Sequence, residues 1–258
     1  MSKFKTIVVK IGSSTLTNKA GNLDTANLKR IAGEIAEMAS SNKKVIIVTS
    51  GAIVSGRERL NLKKINGSIP EKQAAAAVGQ GILMREYAKA FGEHGITVAQ
   101  ILVTRDEISN KERSLNTRNT IFKLLELGVV PIINENDTVS VEEIKIGDND
   151  TLSARVASLI GADLLILLTD VDGFMMAGEN GKSQIIHEIK EITTEIKQAA
   201  GHPSSQMGVG GMITKIKAAE ICSDSGITTA IANGRTADVM AKIISGEQVG
   251  TIFLKGSK

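Results

Sequence analysis

Short, almost uninterrupted apolar runs alternate along this chain with longer segments whose apolar residues return every three or four positions. The runs at 5–11, 44–49, 96–103, 129–133 and 163–168 are rich in Val, Ile and Leu and end in polar or glycine residues. That is the pattern of strands buried on both faces. Two further strands are expected at 228–232 and 251–254. Leu28, Ile31, Ile35 and Met38 mark one face of a helix that Asp24 or Thr25 can cap. Helical spacing also predicts helices at 71–91, 118–127, 150–160, 212–223 and 237–244. The four alanines at 74–77 suit close helix packing, and polar hairpin-like pieces are expected around 140–145 and 178–186. Strands alternating with helices imply an α/β chain whose mostly parallel sheet is covered on both faces.

The strand ends are where the polar residues gather. Lys10-Ile11-Gly12-Ser13-Ser14, Thr49-Ser50-Gly51-Ala52, Asn134-Glu135-Asn136-Asp137 and Thr169-Asp170 each follow an apolar run. In a parallel sheet these ends lie on one edge, where open α/β sheets bind ligands. Asn, Asp and Gly are also ordinary turn residues. The cluster at 134–137 is followed shortly by a second, Gly147-Asp148-Asn149-Asp150, at the start of a predicted helix. A fifth segment, Gly208-Val209-Gly210-Gly211-Met212-Ile213-Thr214-Lys215, sets glycines immediately before a helix. Bare amides at a helix N-terminus favour a phosphate, and glycine lets it come close.

Composition removes several classes of function. The 258 residues carry a formal charge of +3, with lysines scattered rather than blocked, and aromatic residues make up 2% with no Trp. Little is available to stack on bases, so no nucleic-acid partner is expected. Cys222 is the sole cysteine, which excludes an internal disulfide framework and a Cys-rich zinc site. Its helical spacing marks it as a small buried thiol. The first ten residues lack a signal-peptide core and no apolar run reaches bilayer length, so a cytoplasmic chain without a membrane partner is expected. The length suits one domain over 1–258.

Familiar catalytic signatures are absent. There is no Gly-x-x-x-x-Gly-Lys-Ser/Thr, no Gly-x-Gly-x-x-Gly in a strand–helix context and no Gly-x-Ser-x-Gly elbow around Ser50. His94, His187 and His202 are dispersed and no metal-ligand set is expected from the protein. What remains is Lys10 and Lys215 beside glycine loops, with carboxylates to organise them. Phosphoryl transfer suits this inventory, because there the protein mainly positions groups and neutralises charge. A carboxylate acceptor is already ionised at neutral pH and needs no general base.

The motifs also resemble a known family. Val9-Lys10-Ile11-Gly12-Ser13, Ser50-Gly51-Ala52-Ile53, Lys72 through Gln80, Leu115 through Thr120, the two polar clusters, Leu168 through Gly173 and Gly210 through Lys215 occur in the order of the amino acid kinase family. The paired Asn-Glu-Asn-Asp and Gly-Asp-Asn-Asp clusters are similar to its glutamate-phosphorylating branch. The resemblance implies an α/β/α sandwich (the amino acid kinase fold) and phosphorylation of the γ-carboxylate of L-glutamate by ATP with Mg2+, the first step of proline biosynthesis. It implies that Lys10 and Lys215 stabilise the transferring phosphoryl group and that Asp150 holds both lysines. Ser50, Asp137 and Asn149 would bind glutamate. Lys10, Thr169, Asp170, Val209, Gly210, Gly211, Met212, Ile213, Thr214 and Lys215 would bind ATP. Val209 stands where the family usually has Thr, which removes a hydroxyl from that loop and leaves its backbone amides. The resemblance further implies a homo-oligomer, a dimer or tetramer, with proline as feedback inhibitor. Many family members carry an additional C-terminal PUA domain, which is not expected here. Two alternatives stand beside this reading: an N-acetylglutamate kinase-like enzyme, and a catalytically inactive nucleotide-binding regulator of the same fold.

Overall fold

Alternation along the first strand, β1 (Thr6–Ile11), decides what each face of the sheet carries. In the computed structural model, which describes residues 4–62, 68–140, 149–177, 183–201 and 211–256, Ile7, Val9 and Ile11 enter one apolar core and Val8 enters another. Successive strand side chains point to opposite faces, so Lys10 shares the Val8 face.

β1 pairs in parallel with β2 (Lys44–Val48) on one side and β5 (Leu164–Thr169) on the other. Beyond β2 come β4 (Val130–Glu135) and then β3 (Val98–Val103), both parallel. Beyond β5 come parallel β9 (Thr228–Asn233), antiparallel β10 (Thr251–Phe253) and, parallel to β10, β8 (Glu188–Ile189). The eight-stranded order is β3-β4-β2-β1-β5-β9-β10-β8. The chain grows outward from β1 toward β3, then returns and grows the other way from β5. The topological switch therefore lies between the ends of β1 and β5, where a ligand crevice forms. A separate antiparallel pair joins β6 (Met175–Ala177) to β7 (Ser183–Ile185), so that β7 falls within the second expected hairpin and β6 just before it. The other expected hairpin, beyond Ser140, lies outside the described residues.

Helices α1 (Thr25–Ser40), α2 (Ala52–Arg59), α3 (Ile69–Gly92) and α9 (Val239–Ser245) contribute to the core on the Ile7 face. On the Val8 face lie α5 (Lys111–Glu126), α6 (Asp150–Ile160), α7 (Thr194–Ala200) and α8 (Met212–Asp224). The result is the expected α/β/α sandwich with a mostly parallel central sheet. A short α4 (Arg105–Ser109) with a complete capping box precedes α5.

Two helix boundaries and one whole helix depart from the apolar spacing, each for a local reason. α5 begins at Lys111 rather than 118, because the Asn110 side chain accepts from the Glu112 and Arg113 amides. Ile121 is its buried residue, so the spacing of apolar residues does not reveal its first two turns. α9 starts two residues late because Asp238 adopts a left-handed φ of 57°. α2 has no apolar stripe at all: its buried face is Ala52, Ser55 and Gly56.

Small residues on α2 face small residues on α3. A Cβ placed on Gly56 would stand 1.7 Å from the Ala75 carbonyl oxygen, and one on Gly79 would stand 1.8 Å from that of Ala52. The helix backbones touch here, which explains the buried Ala75 and Ala76 within the alanine run. Overpacking a tight core costs about 1–3 kcal/mol and occasionally more. Here backbone atoms rather than flexible side chains must move, so Gly79→Ala should destabilise the chain by about 3 kcal/mol or more. Urea unfolding at equilibrium measures this, and Gly81→Ala, where a Cβ meets nothing within 4 Å, should be neutral or stabilising.

Candidate active site

The face carrying Lys10 also carries α6 and α8, and this brings three charged side chains together. Lys10 is nearly the last residue of β1, Asp150 is the first of α6, and Lys215 is the fourth of α8. Lys10 Nζ lies 2.5 Å from Asp150 Oδ1, and Lys215 Nζ lies 3.1 Å from Asp150 Oδ2. All three are buried: Asp150 is 0%, Lys10 6% and Lys215 7% exposed. Asp150 Oδ2 also accepts from the Thr214 hydroxyl at 2.8 Å. A carboxylate in the first helical turn is further favoured by the helix dipole.

Beside this trio, on the other side of the β1 end, a cleft of about 440 Å³ is lined by Ser13, Ser50, Gly51, Asn134, Glu135, Asp137 and Asn149 among others. Ser50, Asp137 and Asn149, all singled out from the sequence, thus share one cavity. Gly51 shapes its floor with φ of 100°, a conformation that side chains disfavour, and so turns β2 directly into α2. Asn149 Nδ2 donates to the Thr49 carbonyl at 2.6 Å and to Asn134 Oδ1 at 2.8 Å. β4 runs two residues further than its apolar pattern, burying Asn134 (2% exposed) and Glu135 (4%). Each is satisfied by a partner: Asn134 Nδ2 donates to Gln80 Oε1, and Glu135 Oε1 accepts from Ser140 Oγ.

The remaining expected residues surround the β5 end and the start of α8. Thr169 is buried, with its hydroxyl donating to Asp170 Oδ1 at 3.1 Å, and Asp170 is exposed. Gly211 caps α8 without a side chain, and Ile213 is exposed. Thr214 directs its hydroxyl at Asp150 and at the Gly211 carbonyl, so its role is to secure the trio rather than to face outward. Val209 and Gly210 lie outside the described residues, as do Gly147 and Asp148. The sequence offers Glu135, with Asp137 and Asp148, as a carboxylate for a substrate ammonium, but its spacing gives Asn134, Gln80 and Ser13 no individual role. Gln73 and Gln80, two turns apart on one helix, were the available signal. Cys222 is buried far from this edge in the core, where desolvation raises its thiol to about 11, so it is no nucleophile.

Comparison with known proteins follows the same line. The sequence profile of the amino acid kinase family matches residues 5–233. A glutamate 5-kinase of Clostridium acetobutylicum is 49% identical over 260 residues, covering 100% of this chain and 97% of that protein. A glutamate 5-kinase of Moorella thermoacetica is 47% identical over 256 residues, covering 98% of this chain and 68% of that protein. In fold, the chain is similar to the carbamate kinase from Giardia lamblia bound to AMP-PNP, with a TM-score of 0.71 at 20% identity over 99% of this chain and 100% of that one.

Removing one partner of a buried ion pair is costly because the other charge stays buried, about 3–5 kcal/mol. Asp150→Asn should therefore lower the stability of the ligand-free protein by about that amount, although it changes a single atom. Urea unfolding without nucleotide checks it; an unchanged midpoint would show that the lysines do not depend on this carboxylate.

Proposed function

The chain belongs to the amino acid kinase family, and from that premise we propose how its site transfers the γ-phosphoryl group of ATP to the γ-carboxylate of L-glutamate. The product is L-glutamyl 5-phosphate, the reaction that opens proline biosynthesis. The observation that carries the reading is the buried Lys10–Asp150–Lys215 trio at the sheet's switch point, next to a cleft lined by Ser50, Asp137 and Asn149.

Glutamate occupies the cleft with its γ-carboxylate toward the trio, and the nucleotide lies over the ends of β5 and β9 with its phosphates at the start of α8. A γ-carboxylate oxygen attacks the γ-phosphorus, and the bond from that phosphorus to the β–γ bridging oxygen breaks. The electron pair leaves with ADP and no proton moves, since the acceptor is already ionised. Charge accumulates on the transferring group and the bridging oxygen. The ammonium groups of Lys10 and Lys215 neutralise it in a buried setting where their charge acts strongly. Asp150 keeps the two cations at fixed positions before the reaction, so little reorganisation is needed.

Mg2+ supplies further neutralisation when it is bound to the phosphates. Among the described residues no cluster of three His, Cys, Asp or Glu side chains could hold a metal ion. No helix of the described residues is long and apolar enough to cross a membrane. Self-association into dimers or tetramers belongs to the same family reading.

A coupled ADP-release assay with glutamate, N-acetylglutamate and aspartate in parallel tests the reading, with turnover expected on glutamate. Lys10→Met and Lys215→Met should each lower kcat by about 100-fold or more and change glutamate binding far less, because the charge is needed chiefly in the transition state. Near-normal turnover in either variant would remove that lysine from the mechanism.

Proline keeps the α-carboxylate and a charged α-nitrogen of glutamate and lacks the γ-carboxylate that attacks ATP. Binding through charge-assisted hydrogen bonds to those two groups would be unproductive. Initial rates over a grid of both ligands should show inhibition relieved by glutamate and weakened in Asp137→Ala. Inhibition indifferent to glutamate would overturn this overlap.

A further inference from the structure

The chemistry above leaves two glutamines of α3 without a task. Gln73 and Gln80 lie two helical turns apart on one face of α3; Gln80 reaches Asn134 near the end of β4, and Gln73 reaches Ser140 in the segment that follows it. Gln73 Nε2 donates to the Ser140 carbonyl at 3.3 Å, and the Ser140 hydroxyl donates to Glu135. Gln80 Oε1 accepts from Asn134 Nδ2 at 2.9 Å, while its Nε2 donates to Gln100 Oε1 at 2.9 Å.

Backbone groups fix the direction of this amide chain. The Glu135 N–H can act as donor alone, and Asn134 Oδ1 accepts from it at 3.0 Å. Asn134 must therefore turn its Nδ2 toward Gln80. At the other end the Thr49 carbonyl can act as acceptor alone, so Asn149 must turn its Nδ2 there. The two hydrogens of Asn149 Nδ2 are then spent on Thr49 O and Asn134 Oδ1, with Ser50 Oγ at 3.4 Å. What this amide has left for a ligand in the cleft is Oδ1, an acceptor.

We infer that Gln80 is a positioning residue that sets the cleft's preference for a free ammonium group on the substrate. By holding Asn134 Nδ2 it keeps Asn134 Oδ1 against Asn149 and so braces Asn149, whose orientation the Thr49 carbonyl already fixes, in its place along the cavity that Glu135 and Asp137 also line. There its Oδ1 is an acceptor suited to a ligand cation. Without Gln80 the buried Asn134 Nδ2 loses its acceptor and the side chain gains by swinging toward water, which leaves Asn149 with the Thr49 carbonyl and the Ser50 hydroxyl and lets its Oδ1 shift away from the cation. This inference rests on the reading that glutamate is the substrate.

The experiment compares the wild-type chain with Gln80→Met and Gln80→Glu, measuring kcat and KM for L-glutamate, for ATP and for glutarate, which is glutamate without its ammonium. Gln80→Met should raise the KM for glutamate about 10-fold or more, the size of one lost buried hydrogen bond to a charged group, with the KM for ATP within twofold. The preference for glutamate over glutarate should shrink by the same factor. Gln80→Glu keeps an acceptor toward Asn134, and the exposed Gln100 can reverse its own amide, so both quantities should stay within about threefold of wild type. Gln80→Lys offers donors alone and should behave as Gln80→Met at high salt, where its added charge is screened; it replaces the Met variant if that one does not fold. A wild-type chain active on glutamate, with variants that leave the glutamate-to-glutarate preference unchanged, would sink the role of Gln80 and leave the kinase reading standing. A wild-type chain inactive on glutamate would overturn both.

Discussion

Everything at the carboxyl edge of the sheet depends on one buried carboxylate. Taking an ionised side chain fully out of water costs several kcal/mol, and the interior tolerates it when opposite charges and hydrogen-bond donors meet it there. Asp150 has 0% exposure, an ammonium group on each oxygen and a threonine hydroxyl as well. Its partners come from β1 and α8, so satisfying it obliges α6 and α8 to dock together on the Val8 face of the sheet. The electrostatic requirement of one residue thus fixes how a strand and two helices far apart in sequence meet. In the reaction proposed above, the same arrangement would hold both lysines ready for the transferring phosphoryl group.

A steric constraint governs the other wall of the cleft. α2 starts at the glycine turn that closes β2, and its contact with α3 is made through Gly56 and Gly79 with no room for a Cβ. That close approach brings α3 near enough for Gln80 to reach across to β4 and Gln73 to the segment after it. Glycine at these positions therefore serves the cleft indirectly, by letting a helix carry polar side chains to residues that a bulkier interface would hold away. Asn134 can sit buried at a strand end because Gln80 of that helix accepts from its amide, and Glu135 because Ser140, itself held by Gln73, donates to it.

The two halves of the site differ in how they manage charge. The phosphoryl side gathers cations around a single carboxylate. The substrate side gathers acceptors whose orientation is set by backbone carbonyls and amides. In the reaction proposed above, glutamate would lie across that boundary with its anionic reacting group toward the lysines, and complementary charge would steer the nucleotide's polyphosphate to the cationic side.

Much of this was legible in the residues alone. Apolar runs and helical spacing gave the strands, most helices and the layered α/β class, because burial on a sheet or a helix face leaves a period in the sequence. Polar strand ends pointed to the segments holding Lys10, Ser50 and Asp137, because parallel strands share one edge whatever their order; Asn149, Asp150 and Lys215 stood at predicted helix starts, and their individual roles came from the family resemblance. Three things lay beyond that period. α2 buries small residues rather than large ones, and α5 is started by the Asn110 cap rather than by apolar spacing. The hydroxyl of Thr214 turned inward to Asp150, which the glycine-loop pattern could not indicate. The sense of the Asn149, Asn134 and Gln80 amides was decided in the folded chain alone, by the Thr49 carbonyl just after β2 and an amide on β4. Local sequence determines which side chains can be buried or exposed; which donor meets which acceptor across 50 or 100 residues is settled by strand order and helix approach, and those exist in the tertiary structure.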